Sequence, residues 1–269
     1  MSIINIAHRG ASGTAPENTL AAFERAAELG AGMIELDVQL SFDGELIVFH
    51  DDTLGRCTNV AEVLADRAEE PLHRFAAQDL AKLDAGKVHP EVEGRTGIPT
   101  LRQVLEWLEA TDGMMLNVEL KALPRRPADL AVKTVRAVQA LGLESRILFS
   151  SFDHSELRTV KDLDPRLRTA VLSAEGIHDL PRYARDFVQA NAINPGVHLL
   201  GHGSIAQESG APLDGALIER ARELGLEVYV WTVNEPALMQ QLIDLEVSGI
   251  ITDFPERLRP LLDKPDEIG

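Results

Sequence analysis

The sequence is short of cysteine, of aromatic rings and of positive charge. It has one cysteine, Cys57, so no internal disulfide can form, in keeping with a reducing compartment. With two tryptophans and two tyrosines in 269 residues, the core must be mainly aliphatic. Lys and Arg number 26 against 43 Asp and Glu, a formal net charge of -17. Nucleic acids and anionic membranes both recruit cationic surfaces, so neither is an expected partner. No run approaches the roughly 18 apolar residues of a membrane span. Met1 to His8 holds neither a basic leader nor an export segment, so a cytoplasmic location without stable membrane association is expected. A small phosphate stays admissible. A local Arg, Lys or metal ion in a cleft outweighs a distant acidic surface that salt screens within about 8 Å.

What is present is a rhythm. Short runs rich in Ile, Val and Leu alternate with helical periodicity along the whole chain. The strand candidates are Ile3 to Ala7, Met33 to Gln39, Met115 to Leu120, Ile147 to Ser150, Thr169 to Leu172, Ala192 to Asn194, Glu227 to Thr232 and Gly249 to Thr252. Helices are expected over Thr19 to Leu29, Leu101 to Ala110, Ala128 to Leu141, His154 to Leu163, Leu180 to Ala190, Leu213 to Leu224, Pro236 to Leu245 and Pro255 to Leu262. Eight of each predicts an α/β chain closed as a (β/α)8 TIM barrel, one domain over residues 1–269. The rhythm breaks after Leu46 to His50, an extended return run. The polar stretch at about 51–99 is read as a small inserted subdomain after the second strand, beside the active site.

Barrel chemistry sits where strands end, so polar residues closing apolar strands are the ones to collect. Side chains alternate along a strand, so Glu35 and Asp37 share one face while Ile34, Leu36 and Val38 share the other. The same alternation sends Glu119 and Lys121 inward together. Three acids converging in a partly dry cavity bear several kcal/mol of desolvation each unless a cation joins them. All-oxygen ligation by Glu35, Asp37 and Glu119 suits one hard divalent cation, Mg2+ or Ca2+, with Mn2+ admissible; the competing reading is an internal salt network with Arg9 and Lys121. His8 and His50 each close an apolar run, and imidazole suits proton transfer near neutral pH, so these two are the acid and base candidates. Arg9 and Lys121 beside a cation would hold and polarise a phosphodiester. His198 and His202 have metal-edge spacing, but Pro195, Gly196, Gly201 and Gly203 speak against a helix and a second metal there.

The segments His8-Arg9-Gly10, Pro16-Glu17-Asn18-Thr19, Glu35-Leu36-Asp37-Val38, His50-Asp51, Glu119-Leu120-Lys121, Ser150-Ser151-Phe152, Trp231-Thr232-Val233-Asn234 and Gly249 to Pro255 follow one another in order. In that order the chain resembles the glycerophosphodiester phosphodiesterases of the phospholipase C-like phosphodiesterase superfamily. The resemblance implies metal-dependent hydrolysis of a glycerophosphodiester to sn-glycerol 3-phosphate and an alcohol. It gives His8 and His50 the acid–base role, Glu35, Asp37 and Glu119 the metal, and Arg9 and Lys121 the phosphate. The wider superfamily favours a route through a cyclic phosphate. Phe152 and Trp231 are candidates for an apolar wall against the glycerol or the leaving alcohol. Glu17 and Asn18 are expected to support the site or cap the following helix rather than to react. Two rival readings are a lysophospholipase D or sphingomyelinase D-like lipid phosphodiesterase, and a non-catalytic barrel that binds phosphorylated metabolites.

Overall fold

The computed structural model describes residues 3–263 apart from 90, 91, 93, 126 and 202–211, so His202 lies outside the described residues. Nine strands form one sheet: β1 (Ile4–His8), β2 (Met33–Leu40), β3 (Leu46–Val48), β4 (Met115–Leu120), β5 (Ile147–Ser151), β6 (Arg168–Ser173), β7 (Ala192–Pro195), β8 (Glu227–Val230) and β9 (Gly249–Thr252). All but β3 are parallel and close into a ring, because β1 pairs with β9 on one side and with β2 on the other. With helices between the strands, this is the expected eight-stranded TIM barrel. β3 runs antiparallel on β2, Val38 opposite Val48, and adds an outer strand beside the ring.

Alternation along the strands sorts the side chains into two sets. Ile6, Met33, Leu148, Ala170, Tyr229 and Ile251 pack as one buried cluster that plugs the barrel. Their neighbours Ala7, Ile34, Leu36, Val118 and Phe149 instead pack outward against helices Leu20–Glu28 and Leu101–Glu109. Val171, Ile193, Val228 and Ile250 do the same on the opposite side. One interior step above the plug, the same registers deliver His8, Glu35, Asn117 and Ser150. The apolar plug thus sets the depth at which polar chemistry begins.

Helix starts follow from local hydrogen bonding. Thr19 caps Leu20–Glu28 through Ala22 N, and Thr100 with Gln103 forms a reciprocal capping box at Leu101–Glu109. Some boundaries depart from the pattern. The helix expected from Leu213 is Ala216–Glu223, because Leu213 N is taken by Gln241 and Asp214 Oδ1 accepts from Ala216 N to hold the preceding turn. The helix expected from Ala128 is Leu130–Ala140. The stretch expected as one helix over Leu180 to Ala190 changes pitch, from α at Leu180–Tyr183 to π at Ala184–Val188, and stops at Gln189 with φ 61. β8 ends at Val230, not Thr232, and Trp231 keeps only a bridge to Gly196.

Between β3 and helix Leu101–Glu109, short helical turns at Val60–Val63, Ala65–Arg67, Leu72–Arg74 and Ala77–Leu80 surround an apolar cluster that includes Leu54, Cys57, Leu72, Phe75 and Leu83. Burial pushes the Cys57 thiol up to about 12, so it serves packing rather than chemistry. Among the described residues, no helix is long and apolar enough to cross a membrane.

Candidate active site

The loop after β1 builds one wall. Arg9 has φ 56, a left-handed conformation rare for a side-chain-bearing residue, and is pinned from both sides. Its N–H donates to Glu35 Oε2 at 3.1 Å, and its carbonyl accepts from Asn18 N at 2.9 Å. Gly10, φ 84, sits where a Cβ would come within 2.7 Å of Ala22 backbone, so the turn admits only glycine.

Glu35, Asp37 and Glu119 are all buried, and each offers a carboxylate oxygen within 4.8 Å of the others. Arg9 Nε lies 3.4 Å from Asp37, and Lys121 Nζ lies 3.0 Å from Glu119 and 3.8 Å from Asp37. Two cations against three carboxylates leave one negative charge uncompensated, and Arg9 also bonds Glu17 at 2.9 Å. The imbalance shows in the proton affinities. Burial, then Asp37 and Glu119, push the Glu35 carboxyl well up, with Arg9 opposing. Burial and Asp37 raise Glu119 against Lys121. Burial also acts upward on Asp37, but Arg9, Lys121, His50 and the Asn18 hydrogen bond outweigh it and bring the group to about 2.

A cation fits this donor set. Asp37 Oδ1 is buried with no hydrogen-bond partner, the converging atoms are all carboxylate oxygens, and the charge still missing is positive. The salt network with Arg9 and Lys121 is thus present but incomplete.

Both histidines are gripped at Nδ1. His8 Nδ1 lies 2.6 Å from Asp253 Oδ1, and His50 Nδ1 lies 2.6 Å from Asp51 Oδ1. The remaining nitrogen of His8, Nε2, lies 3.9 Å from Glu35. Asp253 accepts in turn from Ser12 Oγ at 2.9 Å and Asn234 Nδ2 at 2.7 Å. Burial acts upward on Asp253, but His8, Asn234 and Ser12 outweigh it and hold it at about 2.

One cavity is lined by His8, Arg9, His50, Glu35, Glu119 and Lys121, together with Phe152 and Trp231. The two rings meet edge to face, centroids 5.6 Å apart, and Trp231 Nε1 donates to Asn194 O at 2.6 Å, which fixes the indole. Asn117 and Ser150, also lining, have side-chain polar atoms with no protein hydrogen-bond partner. All nine residues singled out from the sequence therefore lie at this mouth: eight line the cavity, and Asp37 is buried in the acid cluster beneath it. His50 lies two residues beyond the end of β3, and Trp231 one beyond the end of β8, rather than within the strands expected to carry them.

Asn18 and Glu17 gain definite contacts. Thr19, not Asn18, caps the helix, and Asn18 clamps Asp37 with Nδ2 to Oδ2 at 2.7 Å and Oδ1 from Asp37 N at 3.2 Å. Ser12, Asn234 and Arg56 carry no individual signal in the sequence, whereas Asp253 carries a weak one, since it follows Ile251 by two and so continues the interior register of β9. His198 lies in a short helical turn, Val197–Leu200, where no helix was expected; it bonds Ala174 O at 2.7 Å and stands edge-on to Trp231.

The sequence matches the glycerophosphoryl diester phosphodiesterase family over residues 8–257. It is 36% identical over 264 residues to a glycerophosphodiester phosphodiesterase of Caldanaerobacter subterraneus subsp. tengcongensis, covering 98% of this chain and 99% of that relative. A lysophospholipase D of Mus musculus is 27% identical over 276 residues, 96% of this chain and 86% of that protein. Among solved structures, an Oleispira antarctica phosphodiesterase in complex with the product sn-glycerol-3-phosphate superposes with a TM-score of 0.79 at 26% identity, covering 96% of each chain. By sequence along nearly its whole length, this chain belongs to the glycerophosphoryl diester phosphodiesterase family.

Proposed function

We propose that this protein hydrolyses glycerophosphodiesters to sn-glycerol 3-phosphate and an alcohol, with His8 and His50 as its acid and base. The observation that carries this reading is that two carboxylate-gripped imidazoles and two cations line one cavity together with Glu35 and Glu119 of the buried three-acid cluster. The product bound by the Oleispira antarctica relative gives the substrate class.

Glu35, Asp37 and Glu119 would hold one divalent cation, Mg2+ or Ca2+, with Mn2+ admissible. When bound, such an ion supplies charge neutralisation at the phosphoryl oxygens. Arg9 and Lys121 bind and orient the phosphate. One imidazole takes the proton of the nucleophile, water or the substrate's own glycerol hydroxyl, as its oxygen bonds to phosphorus. The other gives its proton to the departing alkoxide oxygen as the old P–O bond breaks. On the glycerol-hydroxyl route a water then opens the cyclic phosphate to glycerol 3-phosphate with the two roles exchanged. Asp51 and Asp253, each accepting from Nδ1–H, fix the tautomer that leaves Nε2 for this exchange. Phe152 and Trp231 wall off the carbon skeleton. The whole chain works as one barrel, with residues 51–99 as an inserted subdomain beside the active site, and a cytoplasmic location suits a small soluble substrate.

The second reading, a lysophospholipase D, is favoured by the Mus musculus relative. The assay that separates them offers glycerophosphocholine and lysophosphatidylcholine to EDTA-treated protein, with and without Mg2+ or Ca2+. Glycerol 3-phosphate released from the first only when cation is restored is the expected result. Turnover of the lysolipid alone transfers the function to the second reading, and turnover of neither leaves a binding barrel.

A further inference from the structure

Arg56 belongs to the turn that opens the 51–99 segment, yet its side chain reaches back to the barrel mouth. Its guanidinium donates from Nε to Asp51 Oδ2 at 2.5 Å and from Nη2 to Asp51 Oδ1 at 3.0 Å. It also donates from Nη1 and Nη2 to the two oxygens of Glu17, each at 2.7 Å. Neither carboxylate ends there. Asp51 Oδ1 meets His50 Nδ1 at 2.6 Å, and Glu17 Oε1 accepts from Arg9 Nη1 at 2.9 Å. One planar fork therefore ties together the supports of His50 and of Arg9.

We propose that Arg56 is a positioning residue for the reaction assigned above: it locks Asp51 so that His50 presents Nε2 to the cavity, and locks Glu17 so that Arg9 stays over the phosphate. The inference rests on that functional reading for what His50 and Arg9 do.

Stability alone does not explain the arrangement. The Arg56 side chain is 46% exposed, and ion pairs of that exposure are screened and contribute little to folding. What the fork supplies is direction, because two bidentate contacts fix the plane of both carboxylates. Asp51 Oδ1 serves His50 and Arg56 at once, so rotating that carboxylate breaks both contacts. The base of the fork is rigid as well. Leu54 and Cys57, on either side, are buried, Thr58 Oγ1 donates to Leu54 O at 2.7 Å, and Lys87 Nζ to Gly55 O at 2.7 Å. The apolar cluster of the 51–99 segment thereby reaches the chemistry through one side chain.

The experiment compares wild type, Arg56→Ala and Arg56→Lys in the cation-loaded enzyme on glycerophosphocholine, together with the imidazole 15N spectrum of His50. Arg56→Ala should lower kcat about 10- to 100-fold, as losing the partner behind a working ligand does. Its melting temperature should stay within about 3 °C. Millimolar guanidinium, but not NaCl at equal ionic strength, should restore part of kcat. Arg56→Lys should recover only in part, since an ammonium cannot fork to two carboxylates. In both variants His50 should lose its single Nδ1–H tautomer. A kcat within about twofold of wild type overturns the proposal. So does a loss that guanidinium leaves untouched while the melting temperature falls, which marks a merely structural arginine. Failure of the wild type to hydrolyse any diester would count against the functional reading, while the 15N spectrum still decides whether Arg56 orients His50.

Discussion

His8 and His50 meet a carboxylate at the same atom and the same 2.6 Å, but the two carboxylates are held differently. Asp253 accepts from Ser12 and Asn234, neutral donors on loops of the barrel itself. Asp51 is gripped by a guanidinium from the 51–99 segment. The aspartates are similarly covered, 27% and 21% exposed, so the contrast lies in their partners and not in their burial. Behind His8 the carboxylate keeps its charge for the histidine alone. Behind His50 it shares that charge with Arg56. One half of the proposed acid–base pair is therefore built by the barrel, and the other depends on a segment added to it.

Removing either imbalance should show how far the halves are independent. The largest effect is expected from His8→Ala and His50→Ala, each lowering release of glycerol 3-phosphate from glycerophosphocholine by about 10²- to 10⁴-fold. If either variant keeps near wild-type rates, that half of the pair is dispensable.

Smaller losses, about 10- to 100-fold, are expected from Asp253→Asn and Asp51→Asn, whose amides no longer enforce the tautomer. Raising NaCl should then separate the halves, since the ionic Asp51–Arg56 contact is half exposed and open to screening. Wild-type kcat should fall with salt, whereas Arg56→Ala, already without that contact, should stay level. Equal salt sensitivity in both proteins would erase the contrast.

The smallest effect concerns stability. Asp253 sits at about 2, below its ordinary 3.8, because the contacts from His8, Asn234 and Ser12 outweigh the upward push of burial. A depressed carboxylate adds stability that is fully present above its unfolded pKa and lost as pH falls through its folded one. Urea unfolding should thus find wild type more stable than Asp253→Asn at pH 5, with the gap narrowing from pH 3.8 towards 2. A gap level across that window would mean the hydrogen bonds to Asp253 do not favour its charged form.

The same division governs what could be read from the sequence. Strand alternation alone sends Glu35, Asp37, Glu119 and Lys121 inward, because burial on both faces of a barrel strand leaves a polar residue conspicuous among Ile, Leu and Val. His8 stands out in the same way at the end of β1. Their partners do not. His8 and Asp253 are 245 positions apart, and Arg56 and Glu17 are 39 apart, and no local period marks contacts made by chain closure. The helix start at Ala216 was hidden for a related reason, since a tertiary hydrogen bond from Leu213 N to Gln241 overrides propensity there. The role of Asn18 was legible only as a polar residue before a helix, and its clamp on Asp37 needed the fold.

Both histidines work as proposed only if the three buried acids hold a cation. Calorimetric titration of chelated protein with Mg2+ or Ca2+, for wild type and Glu35→Gln, tests it most directly. One ion should bind per wild-type chain, and binding should be lost or greatly weakened in the variant. No binding by wild type, or undiminished binding by Glu35→Gln, would contradict this and leave the acids as partners of Arg9 and Lys121 alone.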